Sequence, residues 1–109
     1  EARPANEYVK KRELRAAIAR ARGALSRAEA RVAEQERALA ACQERMGSPA
    51  VAADYAAVLR EADEAARLEA ELEPLYAAWQ EADGVLQALL AQETGEQGVE
   101  RDAAYEEEL

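Results

Sequence analysis

Between Leu14 and Met46 one series of residues recurs at alternating spacings of four and three: Leu14, Ile18, Ala21, Leu25, Ala28, Val32, Gln35, Leu39, Cys42 and Met46. A seven-residue repeat held this long follows one face of an α-helix and does not match the two-residue period of a strand. The residues between are largely Arg, Glu and Gln, as on a solvated helix face. This repeat restricts the segment to a coiled-coil helix that needs a second helix to cover its seam.

Composition agrees with that restriction. A chain of 109 residues allows one small domain, and it has no Phe, one Trp and four Tyr. A globular core built from so few bulky side chains would be thin, whereas a seam two side chains deep needs far fewer. Ala, Glu, Arg, Leu and Gln dominate, as they do in long helices.

Gly47-Ser48-Pro49 punctuates the repeat. Gly suits a helix C-terminus, Ser48 suits an N-cap, and Pro suits a first helical turn, with Asp54 as a second cap candidate. A second periodic segment then presents the stripe Tyr55, Val58, Ala62, Ala65, Glu69, Leu72, Tyr76, Trp79, Asp83, Leu86 and Leu90. A row of Leu68, Leu75, Ala82 and Leu89 lies beside it, and it can turn in so that Glu69 moves to the edge. Pro74 falls inside this segment and is expected to kink it near Ala70 to Glu73. Thr94-Gly95 is expected to end it.

The fold class expected is therefore all-α, an antiparallel two-helix coiled-coil hairpin. Its parts are an N-terminal lead-in over 1–7, helix one over 8–46, a turn over 47–53 and helix two over 54–92. The hairpin spans 8–93, and an acidic, mobile tail occupies 94–109. With the turn centred on Ser48 and Pro49, facing residues have numbers that sum to about 97. That register pairs Leu39 with Val58, Val32 with Ala65, Leu25 with Leu72 and Ile18 with Trp79. It also pairs Cys42 with Tyr55 and Ala21 with Tyr76. Pairing between chains, into a dimer or four-helix bundle, is the competing arrangement.

Charge is divided along the chain. Residues 1–46 hold 11 Lys/Arg against 7 acids, and residues 47–109 hold 3 Arg against 16 acids, giving the net −9. A basic half and an acidic half suggest elements that attract each other, with the basic stretch beside Glu81, Asp83 and Glu93. The overall acidity disfavours generic nucleic-acid binding.

Catalytic chemistry is hard to build from this sequence. It has no His, which removes the commonest general base and the commonest metal ligand. Glycines at 23, 47, 84, 95 and 98 provide neither a phosphate-binding loop nor a dinucleotide fingerprint. Cys42 reads as a small buried hydrophobe before it reads as a nucleophile, and as the only cysteine it has no disulfide partner within the chain. The expectation is no enzyme, no cofactor, no metal site and no membrane span. The opening Glu1-Ala2-Arg3-Pro4 lacks an initiator Met, which points to a fragment or a processed product.

Two clusters invite a binding role. Lys10, Lys11, Arg12, Arg15, Arg20 and Arg22 form a basic stretch suited to a phosphate backbone, or to pairing within the hairpin. Leu75, Tyr76 and Trp79 form either the thick end of the hairpin core or a docking face for a partner.

The run Arg67-Leu-Glu-Ala-Glu-Leu-Glu-Pro-Leu-Tyr-Ala-Ala-Trp79 resembles the C-terminal coiled-coil extension of ABC-F ATP-binding-cassette proteins. Those extensions commonly carry a Leu-Glu-rich helix ending in Leu-Tyr-x-x-Trp. Lys10-Lys-Arg-Glu-Leu14, the heptads, the Pro-containing turn at 47–49 and Asp54-Tyr55 follow in the same order, so the similarity covers about residues 8–90. The resemblance implies a non-catalytic domain attached to two ATPase cassettes outside this chain, in a cytoplasmic protein acting on ribosomes. It implies ribosome, RNA or DNA contact through Lys10, Lys11, Arg12 and Arg15, and a structural or docking role for Leu75, Tyr76 and Trp79. The alternative is a helical structural or adaptor subunit of a larger protein assembly, with a protein partner or self-association through the apolar face of helix two.

Overall fold

The computed structural model describes the backbone of residues 2–108 and the side chains of residues 6–95. Three helices follow in order: α1 over Ala2–Met46, α2 over Pro49–Ala52 and α3 over Tyr55–Glu108. Among the described residues there is no strand, and α1 and α3 form the two arms of an antiparallel hairpin. The chain divides into two compact units, one of Ser26–Gln80 and one of Glu1–Leu25 with Glu81–Leu109.

Helix bounds are wider than the periodicity implies. α1 begins at Ala2, and α3 runs through Thr94 and Gly95 to Glu108. A helical Gly costs about 1 kcal/mol relative to Ala without ending the ladder, so one Gly is a weak stop signal. α3 also passes through Pro74 with no break in the helix. The acidic side chains beyond Gly95 lie outside the described residues.

The turn is more ordered than a linker. Gly47 has no positive φ, so it does not serve as a left-handed cap. The last turn of α1 tightens instead, with Gly47 N–H donating to Glu44 O at 3.1 Å and Ser48 N–H to Arg45 O at 3.1 Å. Ser48 then caps α2, its hydroxyl accepting from Val51 N–H at 3.5 Å, with Pro49 in the first turn. Asp54 Oδ1 accepts from Ala57 N–H at 3.2 Å and caps α3. This satisfies one of the donors that a helix start leaves without a partner. Asp54→Ala is expected to lower stability by about 1 kcal/mol, read as a lower urea midpoint.

The α1 seam matches its heptad. Leu14, Ile18, Ala21, Ala28, Val32 and Cys42 are buried, and Leu25, Gln35, Leu39 and Met46 are half-buried. On α3 the seam draws on both rows of the pattern. Leu68, Leu72 and Leu86 are buried, and Ala65, Leu75, Ala82 and Leu89 are half-buried. Tyr55, Glu69, Tyr76 and Asp83 stay exposed. A burial cost for two carboxylates explains the choice, since Leu68 stands one position before Glu69 and Ala82 one position before Asp83.

Within Ser26–Gln80, Gln35 meets Leu68 and Cys42 meets Glu61. The numbers in both pairs sum to 103, six more than the anticipated 97, so the expected pairings slide along α3. Cys42 faces Glu61 in place of Tyr55. Within the other unit, Ile18 shares a buried cluster with Leu14, Ala21 and Leu86 in place of the anticipated Trp79, and Leu25, Leu89 and Leu90 pack against it. The physical reason is α2: four helical residues between the arms move the turnaround past Pro49.

Candidate functional site

Within Ser26–Gln80 two donors from α1, seven residues apart, reach main-chain carbonyls of α3 seven residues apart. Gln35 Nε2 donates to Leu68 O at 3.1 Å and to Glu71 Oε2 at 2.9 Å. The Cys42 thiol donates to Glu61 O at 3.0 Å and lies 3.1 Å from Glu61 Oε2. Arg45 Nε donates to the other oxygen of the same carboxylate at 3.1 Å. A polar side chain in a coiled-coil seam fixes register, because a slipped pairing leaves it unsatisfied.

These contacts set the acidities. Hydrogen bonds from Arg45, and then from Cys42, hold the Glu61 carboxyl below its ordinary value. The Glu61 hydrogen bond, followed by burial, raises the Cys42 thiol above its ordinary 9.0. Cys42 is buried, so it is kept as an unreactive thiol, and slow alkylation in the folded chain is expected. A carboxyl depressed on folding adds stability above its ordinary 4.5 and loses it as pH falls through the folded value. Arg67 similarly lowers Glu64. Acidification from neutral to about pH 3 should therefore reduce the thermal midpoint, and Glu61→Gln should flatten that dependence.

Leu75, Tyr76 and Trp79 divide between core and surface. Leu75 is half-buried, while Tyr76 is 37% and Trp79 38% exposed, enough to leave much of each ring open to a partner. Both rings line an open groove of about 520 Å³ with Val32, Ala33, Glu36 and Ala40. Glu29 and Arg37 complete its rim, and Trp79 Nε1 donates to Glu29 Oε1 over a long 3.4 Å. Burial, and then the Glu36 carboxylate, raise the Tyr76 hydroxyl above its ordinary value. Tyr76 also borders a second depression with Leu39, Glu69, Leu72 and Glu73. Two carboxylates and one guanidinium thus line the groove that both rings share, and two further carboxylates line the depression beside Tyr76.

The basic stretch is accessible. Lys10, Arg12, Arg15, Arg20 and Arg22 are exposed and Lys11 is half-buried. The described ion pairs join Arg45 to Glu61 and Arg67 to Glu64 and Glu71. Among the described residues none of Lys10, Arg12, Arg15, Arg20 or Arg22 is in such a pair. The expected pairing of these five with Glu81, Asp83 or Glu93 is not made. Lys10 and Arg20 border a shallow groove with Glu13, Leu14, Ala17, Leu89 and Gln92.

Two functional details escape the sequence reading. Gln35 is visible there only as a polar member of an apolar row. Glu61 stands seven residues before Leu68 in the row that continues through Leu75, Ala82 and Leu89, and that spacing places it in the seam.

Among the described residues no group of three His, Cys, Asp or Glu is arranged to hold a metal ion. No helix among them is long and apolar enough to cross a membrane. Set beside known proteins, the chain matches no family model, no curated protein and no solved structure. What the fold defines is a helical hairpin with an aromatic groove in one unit and, in the other, five exposed cations that have no ion-pair partner among the described residues.

Proposed function

We propose that this chain is a non-catalytic coiled-coil interaction domain, similar to the C-terminal extension of an ABC-F ATPase, that contacts RNA or DNA in the setting of the cytoplasmic ribosome. The observation that supports this reading best is the exposure of Lys10, Arg12, Arg15, Arg20 and Arg22 without ion-pair partners among the described residues. Guanidinium and ammonium groups presented this way neutralise phosphates and release counterions. The hairpin provides the stiffness and the basic arm the contact.

Titration of the chain with ribosomes and with structured RNA across a salt series tests the proposal. Affinity should fall with salt at a logarithmic slope of about −0.7 to −0.9 per phosphate contacted. Charge reversal at Lys10, Lys11, Arg12 and Arg15 should abolish binding. Binding that is absent, or indifferent to both salt and charge reversal, sinks the proposal.

A second reading, a helical adaptor within a protein assembly, is favoured by the exposed Tyr76 and Trp79. Aromatic anchors of this kind are over-represented where proteins dock.

A further inference from the structure

We infer that the acidic aromatic groove of one chain receives the basic α1 segment of a second copy, with the two α1 helices antiparallel. The inference does not rest on nucleic-acid contact, and its test contains no nucleic acid.

The groove specifies the chemistry of its occupant. Glu29 and Glu36 line it from α1 with Arg37 as the one cation, and Glu69 and Glu73 line the separate depression that shares Tyr76 with it. An occupant that brings positive charge meets a rim with one more carboxylate than cation, over a largely apolar floor. Tyr76 and Trp79 offer ring faces on which a guanidinium can stack. Ala33 and Ala40 form a low wall, which lets a helix backbone approach closely.

The chain carries such an occupant. Arg15 and Arg22 are exposed on α1, have no ion-pair partner among the described residues, and are seven residues apart. Glu29 and Glu36 are exposed and also seven apart. When two α1 helices run antiparallel, Arg22 of one copy meets Glu29 of the other while Arg15 meets Glu36. The numbers in both pairs sum to 51, so one alignment makes both contacts. Ala19 and Ser26, both exposed and small, fall between the charged positions.

Each groove that receives a basic segment in this way gains two ion pairs. A parallel in-register arrangement would set Arg against Arg and Glu against Glu, which the same charges oppose. The Trp79–Glu29 contact is long, and the Glu29 carboxylate keeps lone pairs for an arriving guanidinium. Exposed pairs are individually weak and screened by salt, so the association is concentration-dependent and salt-sensitive.

Sedimentation velocity on the full chain at low and high salt tests the inference, with circular dichroism to check helicity. The unmodified chain should form a dimer at roughly 100 µM in low salt and dissociate in high salt. R15E/R22E and E29R/E36R should each weaken self-association by about tenfold or more. An equimolar mixture of the two variants should recover a dimer, because each now presents one sign of charge along the row. Three results overturn the inference: an unmodified chain that stays monomeric, variants that dimerise like the unmodified chain, or folded variants that fail to associate when mixed. Trp79, the sole tryptophan, gives a readout independent of the variants. Its emission should shift to the red as the unmodified dimer is diluted, and emission constant through the dissociation range rejects the groove as the contact.

Discussion

Leu86→Ala is expected to destabilise the hairpin by about 3 kcal/mol, within the usual 2–5 kcal/mol for a buried leucine truncated to alanine. Leu86 is 6% exposed and belongs to the cluster with Leu14, Ile18 and Ala21. The surrounding residues are helical and cannot collapse fully into the space left behind, so the loss combines transfer and cavity contributions. Trp79→Ala should cost clearly less, because a ring 38% exposed already keeps part of its surface in water. The comparison distinguishes two registers. With Ile18 facing Trp79 the tryptophan would be the costlier loss, and with Ile18 clustered with Leu86 the order reverses. Urea unfolding followed by far-UV circular dichroism reads both variants. A larger loss for Trp79→Ala would contradict the packing described above.

The second large effect has the opposite sign. Pro74 lies inside α3 and is exposed. It has no N–H to donate to the Ala70 carbonyl, and its ring crowds the same group. Pro74→Ala restores the donor and removes the crowding, so stability should rise by about 2–3 kcal/mol. Gly84→Ala offers a scale for comparison. An added methyl there meets nothing within 4 Å, and its gain is limited to about 1 kcal/mol of helix propensity. Thermal midpoints of both variants, measured side by side, should rank Pro74→Ala above Gly84→Ala, and a fall for Pro74→Ala would show that the proline is needed locally.

Much of the fold was legible in the spacing of residues. The run from Leu14 to Met46 alternates four and three without interruption, so one face of α1 was determined, and none of its ten members is fully exposed. α3 was harder to read because two adjacent rows of apolar residues compete. Hydrophobicity alone gave no reason to prefer Leu68 and Leu75 over Tyr76. The decision came from Glu69 and Asp83, whose burial would leave charges without water. The register differs by six because 47–53 reads as a turn centred on Ser48 and Pro49, whereas those two residues form the cap and first turn of a helix of four residues. The end of α3 was misplaced because one Gly is a small penalty on a long ladder.

The two binding features were legible to different degrees. Tyr76 and Trp79 stood out by type, but whether they filled the seam depended on a register known only once α2 was placed. The cations at 10–22 could equally be paired or unpaired by composition, and only side-chain geometry distinguishes the two.

The carbonyls of Leu68 and Glu61 that accept from Gln35 and Cys42 belong to the peptide chain, which every residue type shares. Replacing Leu68 would therefore thin the apolar packing while leaving the acceptor in place. Exchanging Gln35 for an aliphatic residue would delete the donor itself. Within Ser26–Gln80 the donors of these contacts are thus written on α1, and mutational drift along α3 can remove the Glu61 and Glu71 carboxylates that share them while the carbonyl acceptors persist.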